Sequence, residues 1–402
     1  MKKVLITICT PTRNNYRAAS ALPFHLILGD LHNAKSDEAK VDYTIYSFNS
    51  NRLSSEQIRG VECELGARIV IIEKPKWLQW MFRLHLVFLR ILFRYPLMAY
   101  LSLPDSTIDE IKASMPDTVW IYGEEISGVA SEFKGLNTIV TMPDCESLFY
   151  YRMLSKRFVM RNILSVIKNG YAYYQYLCLE RDKFCQGVKY HFVGLADRDF
   201  YKSINPAAQA VFLNHPLYDS IACERLKEHF SSPIKLLIAG RYDVYMQEAS
   251  DETLKMMVAC ADEIKQYYAI TFLGKGWEDW NGRLLQAGFL SETKSWVENY
   301  AEEVGSHDIQ LTPISVGTGT KGKVLDAISN GLLEIGTEGA LENIDVTNGE
   351  SCVIYSSVEE LLAVLKEIPF CKSKYELMRK KGYTQVSSSH DKCRIASLLF
   401  AE

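Results

Sequence analysis

No two cysteines in this chain are spaced C-x-x-C, and its ten cysteines and eight histidines form no cluster with zinc-site spacing. That excludes a zinc module and a thioredoxin-like redox motif, and scattered cysteines fit a reduced, cytoplasmic setting. No uninterrupted apolar run approaches the roughly 20 residues of a membrane-spanning helix. The most apolar stretch, Trp77 to Leu103, is broken by Arg83, His85, Arg90 and Arg94. The first apolar run, Val4 to Cys9, ends in Thr10-Pro11 and falls short of the roughly 7 to 15 residues of a signal-peptide core. It reads as a buried first strand of a parallel sheet. There is no internal repeat, no low-complexity segment and no strong charge of either sign. A net charge of −4 carries no nucleic-acid signature.

What is present is an ordinary globular composition, 48% hydrophobic and 23% charged, over 402 residues. At roughly 150 residues per domain this length predicts two or three domains. Strand-like segments alternate with helix-like ones, the pattern of α/β domains with parallel sheets. The first series is Val4–Ile8, Tyr43–Tyr46, Ile69–Ile72, Val119–Tyr122 and Thr138–Thr141. The second is Ile234–Gly240, Ala269–Leu273, Ile309–Thr312, Leu333–Gly336 and Cys352–Tyr355. Two doubly wound sheets in sequence account for the chain. The turn-rich Leu213-Asn214-His215-Pro216 marks the boundary, giving domains at 1–214 and 215–388 and a terminal helix at 389–402, capped by Ser389 or Asp391, that can cross back over either domain.

The run Gly317-Thr318-Gly319-Thr320-Lys321-Gly322-Lys323-Val324 lies between a strand and a helix, where backbone N–H groups and the helix dipole favour an anion. It nearly matches a P-loop, but Val324 stands where the magnesium-binding Ser or Thr is needed. It also nearly matches a dinucleotide fingerprint, but it follows the third strand of its series, and Glu342, at the right spacing for the ribose acid, lies in a loop-like context. A diphosphate seat of another kind remains.

The second series resembles the donor-binding half of the GT-B retaining glycosyltransferases, the "group 1" nucleotide-sugar transferases. The likeness is carried, in order, by Leu237-Ile238-Ala239-Gly240-Arg241, Thr271-Phe272-Leu273-Gly274-Lys275-Gly276, Gln286-Ala287-Gly288-Phe289-Leu290, Pro313 through Gly331, and Gly336-Thr337-Glu338-Gly339. The resemblance implies two Rossmann-like domains facing a cleft and transfer of a sugar, with retention, from a nucleotide-diphosphate sugar to a glycan or lipid-linked glycan in surface polysaccharide assembly. It implies no cofactor and no metal. Arg241, Lys321 and Lys323 would meet the diphosphate, and Asp144 would polarise the acceptor hydroxyl or cap the next helix. Gly240, Phe289, Leu290, Gly317, Thr318, Gly319, Thr320 and Asp326 would line the donor, with Phe289 and Leu290 at the base.

This chain departs from the family pattern at Thr318, where many members carry the first of two glutamates separated by seven residues, and at Asp326, where the second would be. Met246-Gln247 stands where a lysine is common, so Lys321 or Lys323 would supply the cation. Arg241 could instead pair with Asp243, and Glu334 interrupts an apolar strand. These departures keep open a catalytically silent GT-B glycan-binding or partner protein, and a nucleotide-sugar isomerase or hydrolase.

Lys76, Gln79, Arg83, Arg90 and Arg94 would share one face if Trp77–Leu103 were a continuous helix, and Arg152, Lys156, Arg157, Arg161 and Lys168 follow among aromatics. That composition predicts a first domain peripheral to the inner face of an anionic membrane.

Overall fold

The computed structural model describes residues 1–13, 20–36, 38–218 and 221–401. The chain divides into two units. The first comprises Met1–Tyr218 and Lys392–Glu402, the second Asp219–Asp391.

The first unit holds a parallel sheet of β1 (Lys2–Thr7), β2 (Asp42–Ser47), β3 (Arg68–Ile71), β4 (Thr118–Tyr122), β5 (Thr138–Met142), β6 (Lys189–Phe192) and β7 (Gln209–Phe212), ordered β3-β2-β1-β4-β5-β6-β7. The second holds β8 (Ile234–Ala239), β9 (Tyr268–Leu273), β10 (Leu290–Lys294), β11 (Ile309–Thr312), β12 (Leu333–Gly336) and β13 (Val353–Ile354), ordered β10-β9-β8-β11-β12-β13 and also parallel. Central strands such as β4 and β5 are buried at every residue because helices cover both faces, so their sequences are apolar without alternation. Both orders reverse beside the first strand of the sheet, between β1 and β4 and between β8 and β11. In open α/β sheets such a reversal leaves a crevice at the carboxyl ends of the strands, where ligands bind.

The terminal helix, Lys392–Phe400, belongs to the first unit, and Ser389 is not its cap but the last residue of the preceding helix, Lys372–Ser389. It packs on the helix Ala21–Ser36 so closely that a Cβ on Gly29 would lie 2.4 Å from the Lys392 carbonyl oxygen. Phe400 meets Trp120 edge-on at 5.3 Å. Lys3, ion-paired to buried Asp30 at 2.7 Å, lies 4.1 Å from the Phe400 ring centroid.

The continuous basic helix expected over Trp77–Leu103 does not form. A helix spans Lys76–Arg83, His85 takes a left-handed conformation (φ 56°), and 3₁₀ turns follow at Leu86–Leu92 and Leu97–Tyr100. Lys76, Gln79, Arg83, Arg90 and Arg94 therefore share no helical face. Arg94 is committed to Asp182 in an ion pair at 2.5 Å. The segment is anchored to the helix Ile163–Asp182, where the Tyr171 hydroxyl donates to the Ile91 and Phe93 carbonyls at 2.7 and 2.9 Å.

Candidate functional site

The crevice of the second unit begins where β8 and β11 part. Their ladder pairs Ile309 with Leu236 and Gln310 with Leu237, and β8 then runs on to Ala239 and β11 to Thr312 with no further pairing. Around this opening converge the turn after β8 (Gly240 to Asp243), the turn after β9 (Gly274 to Gly276) and the glycine-rich loop after β11. The helix Gly322–Ser329 starts there, with Lys321 in extended conformation before its first turn.

The first two turns are braced against each other. Gly240 N–H donates to the Leu273 carbonyl at 2.8 Å and Tyr242 N–H to the Lys275 carbonyl at 3.0 Å. Buried Trp277, stacked on Phe272, donates its indole N–H to the Gly240 carbonyl at 2.8 Å. The glycine-rich loop is tied down separately. Ser315 donates through its amide and its hydroxyl to the Tyr245 carbonyl, each at 2.9 Å, Thr337 donates to the Ile314 carbonyl at 2.8 Å, and Asn343 to the Gly319 carbonyl at 2.9 Å. Gly319 adopts φ 59°, a conformation that favours glycine and lets the loop reverse direction.

The two lysines separate here. Lys321 folds back over its own loop, its ammonium donating to the Thr318 and Gly319 carbonyls at 2.7 and 3.2 Å, and a Cβ on Gly317 would lie 2.7 Å from its Cε. Lys323 reaches across to β8. Its Nζ lies 2.9 Å from the Met246 thioether and would be 2.8 Å from a Cβ on Gly240. Met246 is the residue standing where a lysine was expected, so the ammonium of Lys323 occupies that neighbourhood from the opposite side. Among the described residues no carboxylate pairs with Lys323. Burial draws its pKa down to about 8 against the pull of Asp243 and Glu334. A half-buried ammonium with only a weak sulfur acceptor is under-solvated, and a phosphate oxygen would satisfy it.

Arg241 is exposed and forms no ion pair or hydrogen bond among the described residues, so the expected alternative, a pair with Asp243, is not made. Asp326 lies in the second turn of the helix, which starts at Gly322. It is half-buried, with Tyr300 in its electrostatic reach. Glu334 is fully buried and accepts from the Gln310 amide at 3.1 Å, and burial holds its carboxyl well above the usual range. It braces the base of the crevice through Gln310.

Phe289 and Leu290 are a correction. Leu290 opens β10 and pairs with Ala269, the second residue of β9, so both residues sit at the amino-terminal edge of the sheet, opposite the crevice, and Phe289 is buried. The segment at the crevice edge of this strand is Ser295–Asn299, after β10 ends at Lys294. Val297 roots it in the cluster of Leu237, Ala239 and Leu273, while Trp296 is 77% exposed. The sequence signal for Trp296 was hidden because β10, Leu-Ser-Glu-Thr-Lys, lacks a strand's apolar pattern.

In the first unit the residue before the helix Glu146–Leu154 is Cys145, whose own side chain makes no cap, and the first amides donate to Asp197, Glu124 and Glu180. Asp144 lines a cavity at the carboxyl ends of β1, β4 and β5.

No family model and no curated protein matches the chain. Solved structures do. Over 99% of this chain and 98% of theirs, it is similar to HepE of Anabaena in complex with UDP, at 10% identity and a TM-score of 0.60. It is similar to TarM of S. aureus in complex with UDP over the whole of both chains, at 7% identity and 0.61. Sucrose-phosphate synthase of Thermosynechococcus elongatus matches over 99% and 97%, at 12% identity and 0.59. These are GT-B structures, and at such identities the likeness establishes the fold: two parallel sheets of seven and six strands with the GT-B succession of elements.

Proposed function

We propose that the chain is a glycosyltransferase that moves a sugar from a nucleotide-diphosphate sugar, held at the crevice of the second unit, to a glycan or lipid-linked acceptor on the side of the first, with retention and in surface polysaccharide assembly. The observation that carries the reading is Lys323, an under-solvated ammonium packed on Gly240 at the start of a helix and at the reversal point of the sheet. A diphosphate leaving group gains negative charge as the glycosidic bond breaks, and catalysis needs fixed cations and N–H donors where that charge collects. Lys323, exposed Arg241 and the helix start supply them. Lys321 holds the loop in shape, and Asp326 has the chemistry to accept ribose hydroxyls. UDP in the HepE and TarM structures and UDP-glucose in another HepE complex support a uridine nucleotide.

Trp296 offers an exposed ring for the base at the same sheet edge. Calorimetric titration with UDP is expected to show saturable binding that Trp296→Ala weakens about tenfold, a stacking contribution on the order of 1 to 2 kcal/mol. Absence of binding by UDP, GDP and ADP alike would overturn the reading in favour of a silent partner protein.

The first unit also presents an apolar surface. Leu92 is 75% exposed, Ile163 70% and Leu164 72%, with Phe88, Ile91, Met160 and Ile167 also exposed, beside Arg161 and Lys168. Among the described residues no helix is long and apolar enough to cross a membrane. Apolar side chains with basic neighbours suit docking on an anionic bilayer, now through these residues rather than a basic helical face. In cosedimentation with anionic vesicles, Ile163→Asp/Leu164→Asp is expected to lose most of the wild-type pelleting, whereas Arg94→Ala, already ion-paired, keeps it. Equal pelleting of all three proteins would argue against docking here.

A further inference from the structure

The loops that leave the carboxyl ends of β1, β2 and β3 are laced together. Phe48 N–H donates to the Thr7 carbonyl at 3.1 Å, Ser50 N–H to the Ile8 carbonyl at 3.0 Å and Ile72 N–H to the Ser47 carbonyl at 2.8 Å, so the bonding continues past the strands. Two side-chain amides then fix the turn after β2. Asn51, 2% exposed, accepts from Thr10 N–H at 3.0 Å and donates to the Thr10 carbonyl at 2.8 Å. Asn49 makes the same reciprocal pair with Leu53, at 2.9 and 3.0 Å. Inside this turn Arg52 is held at φ 57°, a left-handed conformation uncommon for a long side chain.

The frame brings two cations together. Lys74, between β3 and the helix Lys76–Arg83, is half-buried beside the Cys9 thiol and within electrostatic reach of the Arg52 guanidinium. Among the described residues, neither the Lys74 ammonium nor the Arg52 guanidinium has a hydrogen bond or an ion pair. The neighbouring acids do not neutralise them. Glu73 is exposed and makes no ion pair among the described residues, and Glu125, which also acts on Cys9, accepts from the Tyr176 hydroxyl at 3.5 Å. Burial draws the Lys74 pKa down; Cys9 opposes this, and the like charge of Arg52 reinforces it. Withdrawing an ammonium from water beside a second cation costs stability. A phosphate or a carboxylate recovers that cost, because its oxygens serve an ammonium and a forked guanidinium at once.

We propose that Lys74 and Arg52 form an anion site at the carboxyl edge of the first sheet, which takes the phosphate or carboxylate group of a sugar or of a lipid headgroup. The site is built wholly from the first unit, apart from Lys323 and its crevice in the second. Assigning its ligand to the acceptor, which makes that acceptor an acidic one, rests on the transferase reading; the anion site itself does not.

The test titrates the full chain with glucose 6-phosphate, glucuronate, glycerol 3-phosphate and glucose, without nucleotide. The tightest of the three anions is expected to bind at least about tenfold more tightly than glucose, which offers hydroxyls and no charge. If it is glucose 6-phosphate the ligand is a sugar phosphate, if glucuronate an acidic sugar, and if glycerol 3-phosphate a lipid headgroup; all three support an anion site. Arg52→Gln/Lys74→Gln is expected to weaken that anion by at least about tenfold, whereas Lys323→Ala leaves it at the wild-type affinity. The double variant should melt at or above the wild-type temperature, because it loses a like-charge contact and no partner. Equal affinity for the anions and glucose, no saturable binding of any anion, or an unchanged affinity in the double variant would overturn the proposal. So would an equal loss in Lys323→Ala, which puts the anion in the other crevice, or a lower melting temperature of the double variant, which gives the two side chains a structural role. UDP is titrated separately, so failure of the anion site and failure of the nucleotide reading give different results.

Discussion

Lys323→Ala is expected to weaken UDP binding by about ten- to a hundredfold, the loss of a charge-assisted contact worth roughly 1.5 to 3 kcal/mol. The size follows from the environment. An ammonium already drawn out of water and facing only the Met246 sulfur has little solvation to lose when a phosphate arrives. Lys321→Ala is expected to cost less, because that ammonium is spent on the Thr318 and Gly319 carbonyls. The pH dependence has a definite sign. Lys323 titrates at about 8 in the free protein, and only its protonated form attracts a diphosphate. Affinity for UDP-glucose, whose diphosphate keeps its charge across this range, should be constant well below pH 8 and fall as pH rises through it, approaching tenfold per pH unit. Lys323→Ala should flatten that profile. Met246→Lys added to Lys323→Ala should restore much of the affinity, since the two side chains meet at one point. A profile in Lys323→Ala that still falls through pH 8 would assign the titration to another group.

How far the sequence announced this site depended on the kind of signal each part carries. The two sheets were visible because buried central strands such as β4 and β5 are continuous apolar runs. Glycines at strand ends marked the turns around the crevice. β6, β7 and β10 escaped because they are only four or five residues long and carry polar residues, a buried His191 in Lys-Tyr-His-Phe and the partly exposed Ser-Glu-Thr-Lys of β10. Missing β10 put the expected base contact at Phe289 and Leu290, at the amino-terminal edge of the sheet, whereas the segment that follows β10 at the crevice edge is Ser295–Asn299. Nor could the spacing of Lys321 and Lys323 separate them. A left-handed residue at Gly319 and the start of the helix at Gly322 send one ammonium back to its own loop and the other across to β8. The buried acids of the first unit come from four separate elements, and no local motif joins Glu124, Glu146, Glu180 and Asp197.

Gly274→Ala is expected to be the most damaging single methyl group in the second unit. Gly274 has φ 149°, and a Cβ there would lie 2.2 Å from the Gly240 carbonyl oxygen, 2.6 Å from its carbon and 3.2 Å from the Arg241 nitrogen. All three atoms are backbone and cannot rotate away. Either the turn after β9 or the turn after β8 must move, which breaks the hydrogen bonds that brace them, including Gly240 N–H to Leu273. Strain and overpacking together should cost about 3 kcal/mol or more, a fall of roughly 6 to 12 °C in Tm for a unit of this size. The displaced peptide is the one on which Lys323 rests and from which Arg241 extends, so UDP binding should be lost even at temperatures where the variant is folded. Gly282→Ala is the control. It lies in the helix Glu278–Gln286 with no heavy atom within 4 Å of its added Cβ, and should raise stability by about 0.5 to 1 kcal/mol without touching the site. Melting curves and UDP titrations of the two variants, side by side, would separate a methyl group's general cost from its effect at this turn. A Gly274→Ala protein that melts and binds UDP like wild type would show that the turns after β8 and β9 do not hold the crevice.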